Sequence, residues 1–105
     1  MISRSQKEIL MNNWGEKAMS LACRAEIRFF DPLSPWECYI YAMNPENEDE
    51  VSCLIKGFTA EIDENCSLKY ILSQYNSEGN PPEIDYEYRP TSASQLFKNM
   101  CEDVL

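Results

Sequence analysis

The sequence predicts a single α+β domain, residues 1–105, in which an antiparallel sheet of four to five strands packs with N-terminal, middle and C-terminal helices. Apolar residues follow a helical period near both ends and around residue 70, and a period of two between these segments. Polar stretches containing Pro, Asn or Gly separate the segments. A length of 105 residues with 44% hydrophobic residues is enough for one compact core.

The first element is a short amphipathic helix over residues 5–14. Ser5 and Glu8 have the spacing of a capping box, in which two side chains satisfy free backbone amides. Gly15 then ends the helix.

Two strands follow, separated by a proline-containing turn. Residues 24–30 alternate apolar and charged side chains, and residues 31–35 contain two prolines that prevent a continuous ladder. The second strand covers residues 36–43. Its alternation assigns side chains to two faces, Trp36, Cys38, Ile40 and Ala42 against Glu37, Tyr39, Tyr41 and Met43.

The middle of the chain predicts a polar loop and two more strand segments. The loop covers residues 44–50, and the strands carry apolar side chains at alternate positions: Val51, Cys53 and Ile55, then Phe58, Ala60 and Ile62. Gly57 separates the two segments.

The last third predicts a helix, a loop, a strand and a final helix. Ser67 is an N-cap for a helix that reaches Tyr75, and residues 76–82 form a loop. Residues 83–88 alternate as a strand, and Thr91 or Ser92 caps the C-terminal helix. The side chains of that helix predicted to point inward are Leu96, Phe97, Met100 and Val104.

The net charge of the chain indicates which kinds of partner the protein can bind. The net charge is −9, and residues 32–105 alone carry −10. Direct nucleic-acid binding needs cations that displace counterions from phosphates, so this balance argues against it, and against anionic membranes. The negative charge complements a cationic protein partner. The simpler alternative is that the acidic residues only keep a small protein soluble.

Residue types argue against an enzyme. The chain has no histidine, only three glycines and no phosphate-cradling or nucleophile-elbow motif. Its five cysteines are an odd number without CxxC spacing, and the N-terminus has no continuous apolar segment. We therefore expect reduced thiols, a cytoplasmic protein and no cofactor, with a zinc site built from cysteines as the alternative.

Two acidic segments and two tyrosines are the candidate partner-binding residues. On a strand, alternate carboxylates lie about 6.7 Å apart, which matches every second phosphate of a DNA strand. The alternatives for this row are a solvated strand face and a divalent-metal site. The candidates are Glu46, Glu48, Asp49 and Glu50 in the loop, Glu83, Asp85 and Glu87 in the row, and Tyr39 and Tyr41, which are either core residues or interface anchors.

An ordered set of short motifs resembles one bacterial family. The run AEIRFFDP at residues 25–32, followed by Ser34 and Trp36, is similar to the opening of the family called domain of unknown function 2958. Further motifs follow in the family's order, LIKGF at 54–58, PPEID at 81–85 and Arg89-Pro90, so that the resemblance covers about residues 24–97.

The resemblance implies a small protein of a plasmid, conjugative element or phage. Because such elements carry proteins that blunt restriction and CRISPR systems, we expect a non-enzymatic inhibitor, for example an anti-CRISPR. It would bind a basic surface of a host protein such as a CRISPR nuclease and block nucleic acid access. The alternative is a small housekeeping domain, stabilised by zinc through its cysteines.

Overall fold

The fold was taken from a computed structural model that describes residues 2–103. This part of the chain forms four helices and seven strands. In order they are α1 (Arg4–Asn13), α2 (Glu16–Met19), β1 (Arg24–Ala25), β2 (Ile27–Phe30), β3 (Glu37–Asn44), β4 (Asn47–Lys56), β5 (Ala60–Ser67), α3 (Leu68–Leu72), β6 (Glu83–Ile84), β7 (Thr91–Ser92) and α4 (Ala93–Asp103).

The central feature is a five-stranded antiparallel sheet with strand order β5-β4-β3-β2-β6. A separate two-stranded sheet joins β1 to β7, next to the start of α4. The α+β class, the antiparallel sheet of five strands and the N-terminal and C-terminal helices are confirmed. In this order β5 and β6 are the two edges of the large sheet.

Both faces of the sheet are covered, which explains why β3 is buried from Cys38 to Met43. On one face, Leu10 of α1 and Ile71 of α3 pack against Phe29 and Ile40. On the other, Ala18 of α2 and Met100 of α4 pack with Leu54. The sheet therefore lies between two helical layers, and the middle of β3 and of β4 is buried on both faces.

A register shift in β3 corrects the predicted assignment of its faces. Ile40 lies opposite Cys53 and Ala42 opposite Ser52, so that Tyr41 is an extra residue between these pairs. Tyr41 and Ala42 consequently pack into the same cluster, while Met43 joins the opposite one. Strict alternation placed Ala42 and Met43 on the wrong faces, because a bulge moves every later side chain across the sheet.

The predicted N-cap is correct for α3 and wrong for α1. Ser67 is the N-cap of α3, and its hydroxyl accepts from the amide of Tyr70 at 3.2 Å. The first helix, however, is capped by Ser3, which forms a reciprocal capping box with Gln6. The predicted pair, Ser5 and Glu8, has the same spacing, but the helix begins earlier and uses Ser3 and Gln6.

Two predicted segment boundaries were wrong. The loop over residues 44–50 is much shorter, because β4 already begins at Asn47 and pairs back to Asn44. The predicted strand position Phe58 lies instead in the turn after β4, where the Gly57 amide donates to the carbonyl of Thr59 at 3.0 Å. As a result, 94% of the Phe58 side chain is exposed.

The C-terminal helix is close to its prediction. It begins directly after Ser92, whose hydroxyl accepts from the amide of Gln95, and it buries Met100. Val104 lies outside the described residues. Within residues 2–103, none of the helices combines the length and apolarity needed to cross a lipid bilayer.

Candidate functional site

The β6 edge is built around one cation, Arg28 of β2. Its guanidinium lies 2.6 Å from Glu37 and 2.9 Å from Asp85 through different nitrogens. Its Nε also donates to Glu37 and to the hydroxyl of Tyr39. About a fifth to a quarter of each charged side chain is exposed, so this network is partly shielded from solvent.

This network overturns the predicted carboxylate row at residues 83–87. The strand β6 ends at Ile84, and the amides of Glu87 and Tyr88 both bond back to Asp85, which starts a turn. Glu83 and Glu87 are exposed, whereas Asp85 is paired to Arg28. The three carboxylates therefore do not follow an extended strand, and the predicted match to phosphate spacing is wrong.

Three of the four acidic residues predicted in the loop have partners within the chain. Glu48 lies 2.8 Å from the Lys7 ammonium of α1. Asp49 accepts from the Ser67 hydroxyl at 2.7 Å and from the Lys69 amide at 2.9 Å, which holds the pKa of its carboxyl below the usual value. Glu50 accepts from the side chains of Asn44 and Asn65, which lower its pKa in the same way. Of this group, Glu46 is the exposed residue of the turn itself.

The two candidate tyrosines lie in the core. Tyr39 is 7% exposed and its ring meets that of Tyr88 edge to face at 5.5 Å. Tyr41 is fully buried. Burial raises the pKa of each phenol to about 12, so both remain protonated at neutral pH. Neither ring is available as an exposed anchor, because the sheet is covered on both faces.

The β5 edge carries acidic residues that sequence patterning missed. We use the name β5 acidic edge for Glu61, Asp63 and Glu64. Among the ion pairs between residues 2–103, none includes any of these three carboxylates. The strand pairs with β4 alone, so its outer side faces away from the sheet. The available signal was the acidic run EIDEN, which the alternation of Phe58, Ala60 and Ile62 obscured.

Two bulges meet beside this edge and leave a cavity of about 190 Å³. Tyr41 is the extra residue of β3, and Glu64 and Asn65 occupy a second shift of β5 opposite Ser52. The Ser52 hydroxyl donates to the carbonyl of Glu64 at 2.8 Å. Bulges redirect side chains at sheet edges, and here they bring Tyr41 and Glu64 to one cavity wall.

The cysteines are placed as packing residues. Cys38, Cys53 and Cys66 lie on neighbouring strands in one apolar cluster. Contact with Cys38, together with burial, raises the pKa of the Cys53 thiol, and burial raises that of Cys66 to about 12. Across residues 2–103, no group of three or more Cys, Asp or Glu side chains is arranged to hold a metal ion. The zinc alternative therefore gains no support from the geometry.

The two predicted acidic segments lie toward opposite edges of the sheet. Four strand spacings of about 4.8 Å separate β5 from β6, or roughly 19 Å. The acids around Glu50 adjoin β5, since Glu50 bonds to Asn65, whereas Glu83 belongs to β6. The structure therefore joins the first segment to the β5 acidic edge and leaves the second apart.

Comparison with known proteins adds no relative. No protein family, curated protein or solved structure matches the chain. The resemblance to domain of unknown function 2958 therefore stays a prediction, and the candidate site depends on its own geometry.

Proposed function

We propose that this protein is a non-enzymatic acidic inhibitor that binds a basic surface of a nucleic-acid-handling protein and blocks nucleic acid access. The observation that carries the proposal is the β5 acidic edge, whose three carboxylates make no ion pair within the described chain. Carboxylates without an internal counter-charge keep their full negative potential, so an edge that carries three of them complements a cationic partner.

The surroundings of this edge support an interface. The exposed ring of Phe58 lies in the turn that leads into β5, and Tyr70, 63% exposed, follows the strand on α3. Aromatic side chains of this kind provide the buried anchors of protein interfaces, while charges set partner choice and association rate. Glu46, in the turn before β4, and Glu50, on β4, add negative charge at the neighbouring end of the sheet, whereas Glu48 is paired to Lys7.

The net negative charge also indicates the class of partner. A surface that binds nucleic acid is strongly basic, and a net charge of −9 complements it. With the predicted mobile-element source, the expected partners are defence proteins such as CRISPR nucleases, and the protein would then act as an anti-CRISPR in the host cytoplasm.

The experiment starts with immobilised protein and nuclease-treated bacterial lysate at about 50 and 300 mM salt, conditions that differ in electrostatic screening. Any protein captured is then purified and tested for nucleic-acid binding with and without this chain. The proposal expects capture that weakens with salt, and displacement of nucleic acid at stoichiometric addition. A complex in which nucleic acid remains bound would contradict it.

Two charge-reversal variants localise the contact. Glu61→Lys/Glu64→Lys should weaken capture at least tenfold, which corresponds to about 1.4 kcal/mol. The matched control, Glu83→Lys/Glu87→Lys, makes the same change in net charge at the opposite edge and should bind nearly as well as the unaltered protein. Equal losses in the two variants would show that overall charge, and not the β5 acidic edge, drives binding.

A further inference from the structure

The outer side of β5 is an open edge of the sheet. In the strand order of the described residues, β5 pairs with β4 and with no other strand. Residues 60–63 pair with β4 in a regular register, and the bulge follows at residues 64–65. In an antiparallel strand, the backbone N–H and C=O groups of alternate residues point away from the partner strand. The regular part of β5 therefore presents backbone donors and acceptors to the outside of the sheet.

These outward backbone groups have no partner in the part of the chain that the structure describes. Outside the ladder with β4, the backbone of residues 60–63 takes part in none of its hydrogen bonds. The side chains of this segment bond locally, since the Thr59 hydroxyl donates to Glu61 at 3.1 Å and the Asn65 amide donates to Asp63 at 3.2 Å. An edge with unpaired backbone groups is a template for one further strand.

The two faces of this edge differ in chemistry. Ile62 lies opposite Leu54, which is buried in the apolar cluster that α2 and α4 help to form, yet 41% of Ile62 is exposed. Glu61 and Asp63 lie on the other face, because neighbouring side chains of a strand alternate. Neither carboxylate forms an ion pair with residues 2–103. A strand added beside β5 would therefore meet a carboxylate, an isoleucine and a second carboxylate in turn.

This alternation specifies the strand that fits. Side chains directly opposite each other on neighbouring strands lie about 4.5–5.5 Å apart, so that opposite charges attract and like charges repel. A lysine or arginine opposite Glu61 and another opposite Asp63 would supply the missing counter-charges. A β-branched apolar residue opposite Ile62 would cover its exposed surface. The occupant that complements this edge is an extended segment in which basic and apolar residues alternate.

A second copy of this chain does not complement the same edge. Two β5 strands paired with each other would bring the acidic residues of one copy against those of the other, and like charges on paired strands are destabilising. Charged side chains on an edge strand oppose self-association in the same way. The net charge of −9 adds repulsion between copies and attraction to a cationic partner.

We infer that β5 accepts, as a sixth strand of the large sheet, an extended segment of the basic partner in which basic and apolar residues alternate. Main-chain hydrogen bonds to residues 60–63 would hold this segment, and Glu61, Ile62 and Asp63 would select its side chains. The inference rests on the proposed function for the identity of the partner, and it adds the manner of binding.

The first test uses a synthetic peptide in place of the partner. Acetyl-Lys-Val-Lys-Val-Lys-Val amide is titrated into isotopically labelled protein, and NMR follows the amides of residues 60–63 and their exchange with deuterium. We expect saturable shifts centred on β5, with a Kd on the order of 0.1–1 mM. The amides that point away from β4 should exchange at least about tenfold more slowly, because each gains a hydrogen-bond acceptor.

A second peptide separates strand pairing from simple charge attraction. Acetyl-Lys-Lys-Lys-Val-Val-Val amide has the same composition and charge as the first peptide and lacks its alternation. It should bind at least about fivefold more weakly, because it cannot place lysines on one face and valines on the other.

Variants of the protein assign the side-chain contacts. Glu61→Gln/Asp63→Asn removes both charges, keeps oxygens that accept hydrogen bonds, and should weaken binding of the alternating peptide about tenfold. Glu83→Gln/Glu87→Gln makes the same change in charge at the opposite edge and should alter the Kd less than about twofold. Ile62→Thr keeps the β-branched shape, reduces the apolar surface and should weaken binding about threefold.

Three results would overturn the inference. The first is equal binding of the two peptides. The second is a set of shifts that spreads over the acidic surface without saturation, and the third is unchanged exchange of the outward amides of residues 60–63 at saturating peptide.

The outcomes separate this inference from the proposed function. If the peptide does not pair with β5, while a basic protein is captured and displaced from nucleic acid, the added strand is wrong and the inhibitor proposal stands. If the peptide pairs with β5 and no basic protein is captured, the strand site stands and the proposed function is wrong.

Discussion

The two edges of the sheet are equally acidic in sequence and differ in structure. At the β6 edge, Asp85 is held by Arg28 in a network that also includes Glu37. At the β5 edge, Glu61 and Glu64 make no ion pair within the described chain. The availability of a carboxylate therefore depends on which cation the fold places beside it. Local acid density does not determine it.

Removing the cation of the β6 edge gives the largest expected effect. Arg28→Met leaves Glu37 and Asp85 half-buried without their common partner and should lower the free energy of unfolding by about 3 kcal/mol. Urea denaturation measures this. Arg24→Met, an exposed arginine on β1, is the control and should change stability by less than about 0.5 kcal/mol. A loss at Arg28 no greater than at Arg24 would show that the network contributes nothing to folding.

Charge reversal along residues 83–87 tests whether the ion-paired Asp85 contributes more to stability than the exposed Glu83 and Glu87. The triple change Glu83→Lys/Asp85→Lys/Glu87→Lys puts a lysine beside Arg28 and should cost about 2 kcal/mol of stability. The double change that spares Asp85 should stay within about 0.5 kcal/mol of the unaltered protein. Thermal and urea unfolding of both variants give the comparison. Equal stabilities would mean that Asp85 is as solvated as its neighbours.

The two buried tyrosines predict effects of opposite sign. Tyr39→Phe loses a hydroxyl that bonds to Glu37 at 3.0 Å and accepts from Arg28, and should destabilise by about 1.5 kcal/mol. Tyr41→Phe removes a buried hydroxyl that has no partner, and should stabilise by about 0.5–1 kcal/mol. Denaturant midpoints of the pair test this. Destabilisation by Tyr41→Phe would show that its hydroxyl is satisfied in the free protein.

The smallest effect concerns acid sensitivity at the β5 end. The pKa of Asp49 is lowered in the folded state by the Ser67 hydroxyl and the Lys69 amide. The stabilisation is therefore complete above the unfolded pKa of about 3.9, and is lost as pH falls through the lower folded value. Asp49→Asn should flatten the fall in stability below about pH 4, as measured by urea unfolding between pH 6 and 2.5.

A second variant checks the cause of that acid sensitivity. Ser67→Ala removes the hydroxyl donor and keeps the carboxylate, so it should flatten the same pH dependence in part. An unchanged slope in both variants would show that other carboxylates control acid unfolding.

Local sequence patterns correctly predicted core residues of the first strands and the start of α3. The alternation at Ala25, Ile27 and Phe29 placed three residues in the core, and Ser67 marked the start of α3, because both signals depend on neighbours a few residues away. A β-bulge, in contrast, produces no recognisable pattern in the local sequence. A strict period of two misplaced Ala42 and Met43, since an extra residue in β3 is recognised only by its register with β4.

The candidate site was predicted less well, for a related reason. The acidic character of the protein follows from composition alone, and the cationic partner inferred from it stays a prediction. Two of the predicted site residues are engaged elsewhere: Asp85 pairs with Arg28, which lies 57 residues earlier, and Tyr41 is buried in the cluster that includes residues of α2 and α4.

Composition and periodicity therefore determined the fold class, most of the core and the sign of the surface charge. Tertiary structure decided which acidic residues remain unpaired, which tyrosines are buried and where a cavity forms. Electrostatic pairing and burial depend on contacts between residues distant in the chain, and those contacts exist only once the strands have found their register.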